Sequence, residues 1–179
     1  TFISAFFTLD NFAFTPQDVY TTFNTSIDGA SFSFINKIDF DCFDFAFFAD
    51  KNYCDYDRVS VYLYDSENVD QMIKLSVNKK EKNGVLYSMF SINDQMMGSM
   101  SGSFLGTSNT PFTFTHRKYD NCILDGEKNV LAKLTHFYNG EEFNGFTSGY
   151  VYLTVQVEGL VSESNINLVK ICNQEFNLD

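Results

Sequence analysis

Apolar and polar residues alternate along much of this chain, the spacing that places successive side chains on opposite faces of a pleated strand. Val59, Val61 and Leu63 alternate with Ser60, Tyr62 and Tyr64, and Phe112 and Phe114 alternate with Thr113 and Thr115. Val151, Leu153, Val155 and Val157 alternate with Tyr152, Thr154, Gln156 and Glu158. Each run predicts a strand with one buried and one wet face. Looser runs at Ser31–Phe40, Met72–Val77, Val85–Ile92, Val130–Phe137 and Asn165–Cys172 predict more strands. Asn93-Asp94, Asp125-Gly126 and Asn139-Gly140 tolerate the positive φ of a tight I′ hairpin turn, and Asn144-Gly145 adds another break. Strands about every dozen residues, without a long amphipathic helix, predict an all-β fold: an antiparallel two-sheet β-sandwich of jelly-roll type. One short helical turn is expected at Pro16-Gln17-Asp18-Val19-Tyr20.

The 179 residues fit a single domain, 1–179, in which 1–31 forms either an N-terminal arm or the first strands. With 44% hydrophobic and 20% charged residues, the chain is too apolar for disorder and can bury a sizeable core. The 21 Phe and 10 Tyr suit half-buried pleated surfaces. An AT-rich coding sequence would also raise Phe, Asn, Tyr, Ile and Lys together, so the Phe excess carries no functional argument.

Twelve Lys+Arg against 23 Asp+Glu leave a formal charge of −11, which argues against nucleic acid and anionic membranes as partners. The basic clusters Lys79, Lys80, Lys82 and Arg117, Lys118 read as solvated charge at turns. No apolar run approaches the roughly 20 residues that span a bilayer, so no direct membrane insertion is expected. The start at Thr1 has neither a basic n-region nor a cleavage site. The chain is expected to be a processed or excised piece of something longer, surface-exposed or extracellular, on a cell or a virion.

Cys42, Cys54, Cys122 and Cys172 form no C-x-x-C pair, which argues against zinc. Cys42–Cys54 and Cys122–Cys172 bridges, or four buried free thiols, are equally compatible with the spacing. Asn24-Thr25-Ser26 matches the glycosylation sequon.

The order of elements resembles a known family. Asp57 to Asn68, with its Val59-Ser60-Val61-Tyr62-Leu63-Tyr64-Asp65-Ser66 core, is similar to a strand and turn of concanavalin A-like lectin/glucanase (LamG-type) jelly rolls. Tyr87 to Gln95 resembles their Asn-containing hairpin, and Pro111 to Thr115 the strand after it. Phe143-Asn144-Gly145-Phe146-Thr147-Ser148-Gly149-Tyr150-Val151-Tyr152-Leu153, then Val157 to Leu160, resembles a late pair, and Ile166–Gln174 the closing strand. The likeness covers roughly Asp57 to Phe176. It implies a surface domain of binding or adhesion type, and fold alone does not carry the activity.

Catalysis finds little support among the residues. The E-x-D-x-x-E strand of glucanases resembling this fold is absent, and Glu141-Glu142 are adjacent, so in an extended segment they point apart. His116 and His136, both in period-two runs, accompany no G-x-S-x-G elbow. The glycine-rich stretch Gly98 to Ser103 lacks the G-K-[ST] ending of a phosphate loop.

Calcium is the cofactor the acidic stretch would take, through Asp41, Asp44, Asp55 and Asp57; the competing reading is the wet face of a strand. For a glycan, aromatic platforms with Asn and Asp at their edge are needed, and Tyr138, Asn139, Asn144, Phe146, Asn93 and Asp94 are the candidates. Asn139 and Asn144 double as turn formers, and Phe146 doubles as a core cap. The expected function is non-catalytic glycan recognition through rim loops. The alternative is a structural or decorating subunit, a homo-oligomer or larger assembly, that touches neighbouring surface proteins.

Overall fold

The computed structural model describes residues 19–22, 30–34, 37–49, 58–100, 112–158, 166–171 and 174–175. Among them the strands are β1 (Val19–Thr22), β2 (Ala30–Phe34), β3 (Ile38–Asp39), β4 (Asp44–Ala49), β5 (Arg58–Asp65), β6 (Met72–Lys82) and β7 (Val85–Ile92). There follow β8 (Gln95–Met100), β9 (Phe112–Arg117), β10 (Cys122–Leu124), β11 (Val130–Lys133), β12 (Tyr150–Glu158), β13 (Ile166–Ile171) and β14 (Gln174–Glu175). A single 3-10 turn, Phe40–Cys42, is the one helical element described. No helix of the described residues is long and apolar enough to cross a membrane.

Every pairing is antiparallel, and the strands divide into two sheets. One runs β1-β2-β12-β5-β6-β7-β8, with β3 also on β12; the other runs β11-β10-β9-β4-β13-β14. Early and late strands pair in nested fashion, β4 with β13 in one sheet and β5 with β12 in the other. That alternation between sheets is jelly-roll connectivity, so the expected all-β antiparallel sandwich is the fold.

The period-two runs account for the core. Val59, Val61 and Leu63 of β5, Ile73, Leu75 and Val77 of β6, and Val151, Leu153 and Val155 of β12 are buried in register. They pack in one cluster with Phe45, Phe114 and Ile123 of the facing sheet. Phe90 meets Phe114 across the gap at 5.4 Å between ring centroids. At one end, Phe40, Phe137, Phe143 and Phe146 make a cluster of edge-to-face contacts between 4.8 and 6.1 Å, the geometry that ring quadrupoles favour.

Ser88 breaks this apolar pattern. It shares the parity of Phe90 and Ile92, is fully buried, and its Oγ has no hydrogen-bond partner. A buried hydroxyl without a partner costs about 1–3 kcal/mol. Ser88→Ala is therefore expected to be neutral or to stabilise by about 1 kcal/mol, read from chemical denaturation; a loss of stability would mean the hydroxyl is satisfied in solution.

Several local expectations need correction. Val19 and Tyr20 belong to β1 rather than to a helical turn, and Pro16 to Asp18 lie outside the described residues. Ser31–Phe40 divides into β2, β3 and the start of the 3-10 turn, because the Asp39 Oδ1 accepts from the Asp41 amide at 3.0 Å and curls the chain. β6 continues to Lys82, so Lys79, Lys80 and Lys82 lie in a strand. It ends in Asn83-Gly84, with φ of 54° and 79°.

Asn93-Asp94, with φ of 50° and 68°, makes the expected two-residue I′ turn. Asp125-Gly126 does not: the positive φ falls at Lys128, and the Asp125 carboxylate organises a five-residue loop by accepting from the Glu127 and Asn129 amides. Asn139-Gly140 instead closes a three-residue hairpin loop, with Gly140 at φ 92° and its amide on the Phe137 carbonyl.

Candidate functional site

The I′ turn at 93–94 and the loop at 138–140 meet at the rim of the seven-strand path, and the turn geometry explains how. Asn93 extends the β6–β7 pairing with its side chain: Oδ1 accepts from the Lys74 amide at 3.0 Å, while Nδ2 donates to the His136 carbonyl at 2.9 Å. Tyr138 is pinned by its amide, which donates to the Met72 carbonyl at 2.7 Å. Asn139 Nδ2 donates to the Asp70 carbonyl at 3.3 Å, and Asn139 Oδ1 accepts from the Glu141 amide at 2.9 Å. Two hairpins distant in sequence are thus stitched together by amide side chains.

Asp94 is the hub of the chemistry. Its Oδ2 accepts from the Tyr138 hydroxyl at 2.6 Å, its Oδ1 accepts from Lys74 Nζ at 2.7 Å, and Arg58 Nη1 lies 3.9 Å from Oδ1. The Lys74 bond first, then the Tyr138 bond, hold the Asp94 carboxyl below the usual carboxylate range. Burial pulls Lys74 down, but the Asp94 hydrogen bond outweighs it and the ammonium pKa is raised. The same bond to Asp94 raises the Tyr138 hydroxyl. At neutral pH the hub therefore holds an ionised carboxylate, a charged lysine and a protonated phenol. It accepts and donates hydrogen bonds, and it does not carry a labile proton on Asp94.

Lys74 points away from the sandwich core yet is only 7% exposed. Its ammonium sits 5.5 Å from the Tyr62 ring centroid, and Tyr62 donates to Gln156 Oε1 at 2.9 Å. The floor beneath is a row of small hydroxyls on adjacent strands: Ser60 opposite Ser76, and Ser76 opposite Ser91. All three are buried, and the Ser60 and Ser76 hydroxyls lie 3.0 Å apart. Tyr64 stacks beside Tyr62 at 6.2 Å, with Tyr152 directly across from Tyr64 on β12. Among the described residues, the outer face of β5 and its neighbours thus carries tyrosines, hydroxyls and Lys74, with Met72 opposite Tyr64.

Of the sequence candidates, Tyr138, Asn139, Asn93 and Asp94 come together. Phe146 does not join them: its ring is 7% exposed and packs on Phe40, Phe137 and Phe143. Asn144 stands exposed in the turn before Gly145, whose φ is 113°. Arg58, Lys74 and the tyrosines of β5 and β12 escaped sequence reasoning. Lys74 left one visible trace there, a single cation in the otherwise apolar and hydroxylic run Met72–Val77.

The acidic stretch gives no metal centre among the described residues, where no group of three or more His, Cys, Asp or Glu could hold an ion. Asp41 pairs with Lys118 at 3.0 Å, and Asp44 accepts from Thr115 Oγ1 at 3.3 Å. Asp55 and Asp57 lie outside the described residues. Cys122 is a free buried thiol, 3.7 Å from the Asp120 carbonyl, so the Cys122–Cys172 bridge is not formed. Its strand is separated from β13, which precedes Cys172, by β9 and β4. The side chain of Cys42, and Cys54 and Cys172, lie outside the described residues.

Both histidines are structural in their contacts. His116 is buried, stacks on Phe40 at 4.1 Å, donates from Nδ1 to the Phe40 carbonyl and lies 3.0 Å from Asn121 Oδ1 through Nε2. Burial lowers its pKa, so the ring is neutral at pH 7. His136 is exposed, its Nδ1 3.0 Å from Thr135 Oγ1. Comparison of the chain with protein-family models, with curated proteins and with solved structures returns no match.

Proposed function

We propose that this domain is a non-catalytic binding module that recognises a glycan at the rim and outer face of the seven-strand path. The observation that carries the reading is Tyr138. Its ring is 47% exposed, while its hydroxyl and its amide are both tied down, at 2.6 Å to Asp94 and 2.7 Å to Met72. A solvent-facing ring held in advance costs little further ordering when a sugar stacks on it. Asn139 at its edge supplies a hydroxyl partner, and Tyr152, at 40% exposure on the same sheet, a second platform. An ionised Asp94 is not the general acid that glycoside cleavage needs. The resemblance to concanavalin A-like domains agrees with such a role, and a surface-exposed setting on a cell or virion goes with it.

A second reading, a unit of a larger assembly with protein neighbours, is favoured by one edge. Met96 and Met97 of edge strand β8 are 56% and 44% exposed, and Val130 of the nearby edge strand β11 is 52% exposed.

A glycan array on the purified domain, with calcium and with chelator, separates the two. Binding to defined glycans is expected, and Tyr138→Ala should weaken it at least about tenfold, the 1–2 kcal/mol of a lost ring contact, with the thermal midpoint nearly unchanged. No binding by folded protein in either condition would sink the glycan reading and leave assembly.

A further inference from the structure

We infer that Asp94 is an internal stand-in for the carboxylate of an acidic sugar, and that Arg58, Lys74 and Tyr138 form a cradle for that group. The inference rests on the glycan reading and narrows its ligand class to sugars bearing a carboxylate, of uronate or sialate type.

The cradle is unusual for this chain, which has 12 cations against 23 acids. Two of those cations converge here on a single carboxylate, Arg58 through charge at 3.9 Å and Lys74 as a donor at 2.7 Å, with the Tyr138 hydroxyl donating at 2.6 Å. Lys74 keeps its charge although it is 93% removed from solvent, a cost that only an anion close by offsets. These three groups come from places that do not depend on Asp94: Arg58 and Lys74 stand on the paired strands β5 and β6, and Tyr138 is anchored through its backbone amide. Asp94, by contrast, reaches in from the tip of a two-residue turn, and its side chain is 42% exposed. The fixed part of the site is that set of groups, and the solvent-facing part is the anion.

A ligand carboxylate placed where the Asp94 oxygens lie would take the same two hydrogen bonds, from Lys74 and Tyr138, beside the Arg58 charge, while its ring lay toward the exposed face of Tyr138. Asp94 would then swing to solvent, where a lone carboxylate is well hydrated. Because the incoming group must displace an internal one, the native chain binds acidic sugars more weakly than the empty cradle would. It therefore discriminates against loose anions such as chloride or phosphate, which bring no ring to the tyrosine.

The test uses a matched pair of probes, methyl glucuronide and methyl glucoside, which differ only in the carboxylate. Each is titrated by amide NMR into the full chain and into Asp94→Ala. The expected result is at least a tenfold gain in glucuronide affinity for Asp94→Ala, no gain for glucoside, and loss of the gain when Lys74→Gln is added. Asp94→Asn, which keeps the shape of the turn side chain, should give a smaller gain and guards against a fold defect in the alanine variant. An equal gain for both sugars would mean steric relief alone and overturns the inference. So does a gain that survives Lys74→Gln, or a failure of Asp94→Ala to bind glucuronide better. Should the array above show neutral glycans bound while the glucuronide gain is missing, the module reading stands and only the acidic class falls.

Discussion

Asp65→Ala should lower stability by roughly 3 kcal/mol or more, since several charge-assisted hydrogen bonds to a buried group are lost together. For a chain of this size that is a fall in thermal midpoint of about 6–12 °C. Asp65 is fully buried at the end of β5. Its Oδ2 accepts from the Glu67 and Asn68 amides and its Oδ1 from the Ser148 amide and hydroxyl, all at 2.9 Å. One carboxylate thereby fastens the turn after β5 to the entry of β12, where Ser148 also bonds Ser66 and Tyr150. Alanine would leave those part-buried backbone donors without the acceptor, whereas asparagine keeps one oxygen and should cost less.

The pH dependence has a definite sign. Burial alone would raise the Asp65 pKa, but the Ser148, Glu67 and Asn68 bonds outweigh it and the folded-state value is depressed. A depressed carboxylate contributes stability above its unfolded pKa, about 3.9, and loses it as pH falls through the folded value. Melting curves of both proteins from pH 7 to pH 2 should show their gap closing only in the acid range below about pH 4. A gap that is constant with pH would mean the carboxylate charge contributes nothing.

Phe146→Ala is expected to cost about 3–5 kcal/mol, the range for removing a buried phenylalanine and leaving a cavity. The ring contacts Phe40, Phe137 and Phe143 at 4.8, 5.5 and 5.4 Å, so its removal opens the middle of the aromatic end cluster. Guanidinium denaturation should show the loss with an unchanged slope. If the ring served a ligand instead, the variant would keep its midpoint and lose binding. Phe146→Leu, which refills much of the space, should recover a good part of the stability.

The sheets were legible because one-sided strands write their buried face into every second residue. Val59 to Tyr64 and Val151 to Glu158 appear in the structure as β5 and β12, side by side and in the parity that the pattern predicts. The Asn-Gly pair at 83–84, where β6 turns, is an equally plain hairpin signal that sequence reading missed. What periodicity cannot convey is partnership across the sequence. That Lys74 would find Asp94 and Tyr138 depends on the order of strands, which leaves no local trace. Phe146 and Tyr138 look alike as aromatics beside Asn-Gly turns, and only their backbone settings send one inward and the other out. Asp39 to Phe45 shows the limit from another side, where a short side chain bonding its own backbone defeats a good alternating pattern.

The nested pairing also sets the order in which the molecule can assemble. β6, β7 and β8 form a meander through two tight turns and need only neighbours in sequence. β5 has a local partner in β6, but its other flank waits for β12, nearly a hundred residues later, and β4 waits for β13. Contacts of such separation must overcome loop-closure entropy before they return any stabilisation, which places the domain among slow folders of millisecond-to-second type. During synthesis the early strands therefore emerge without their final partners, and the sandwich closes only after the last strands leave the ribosome.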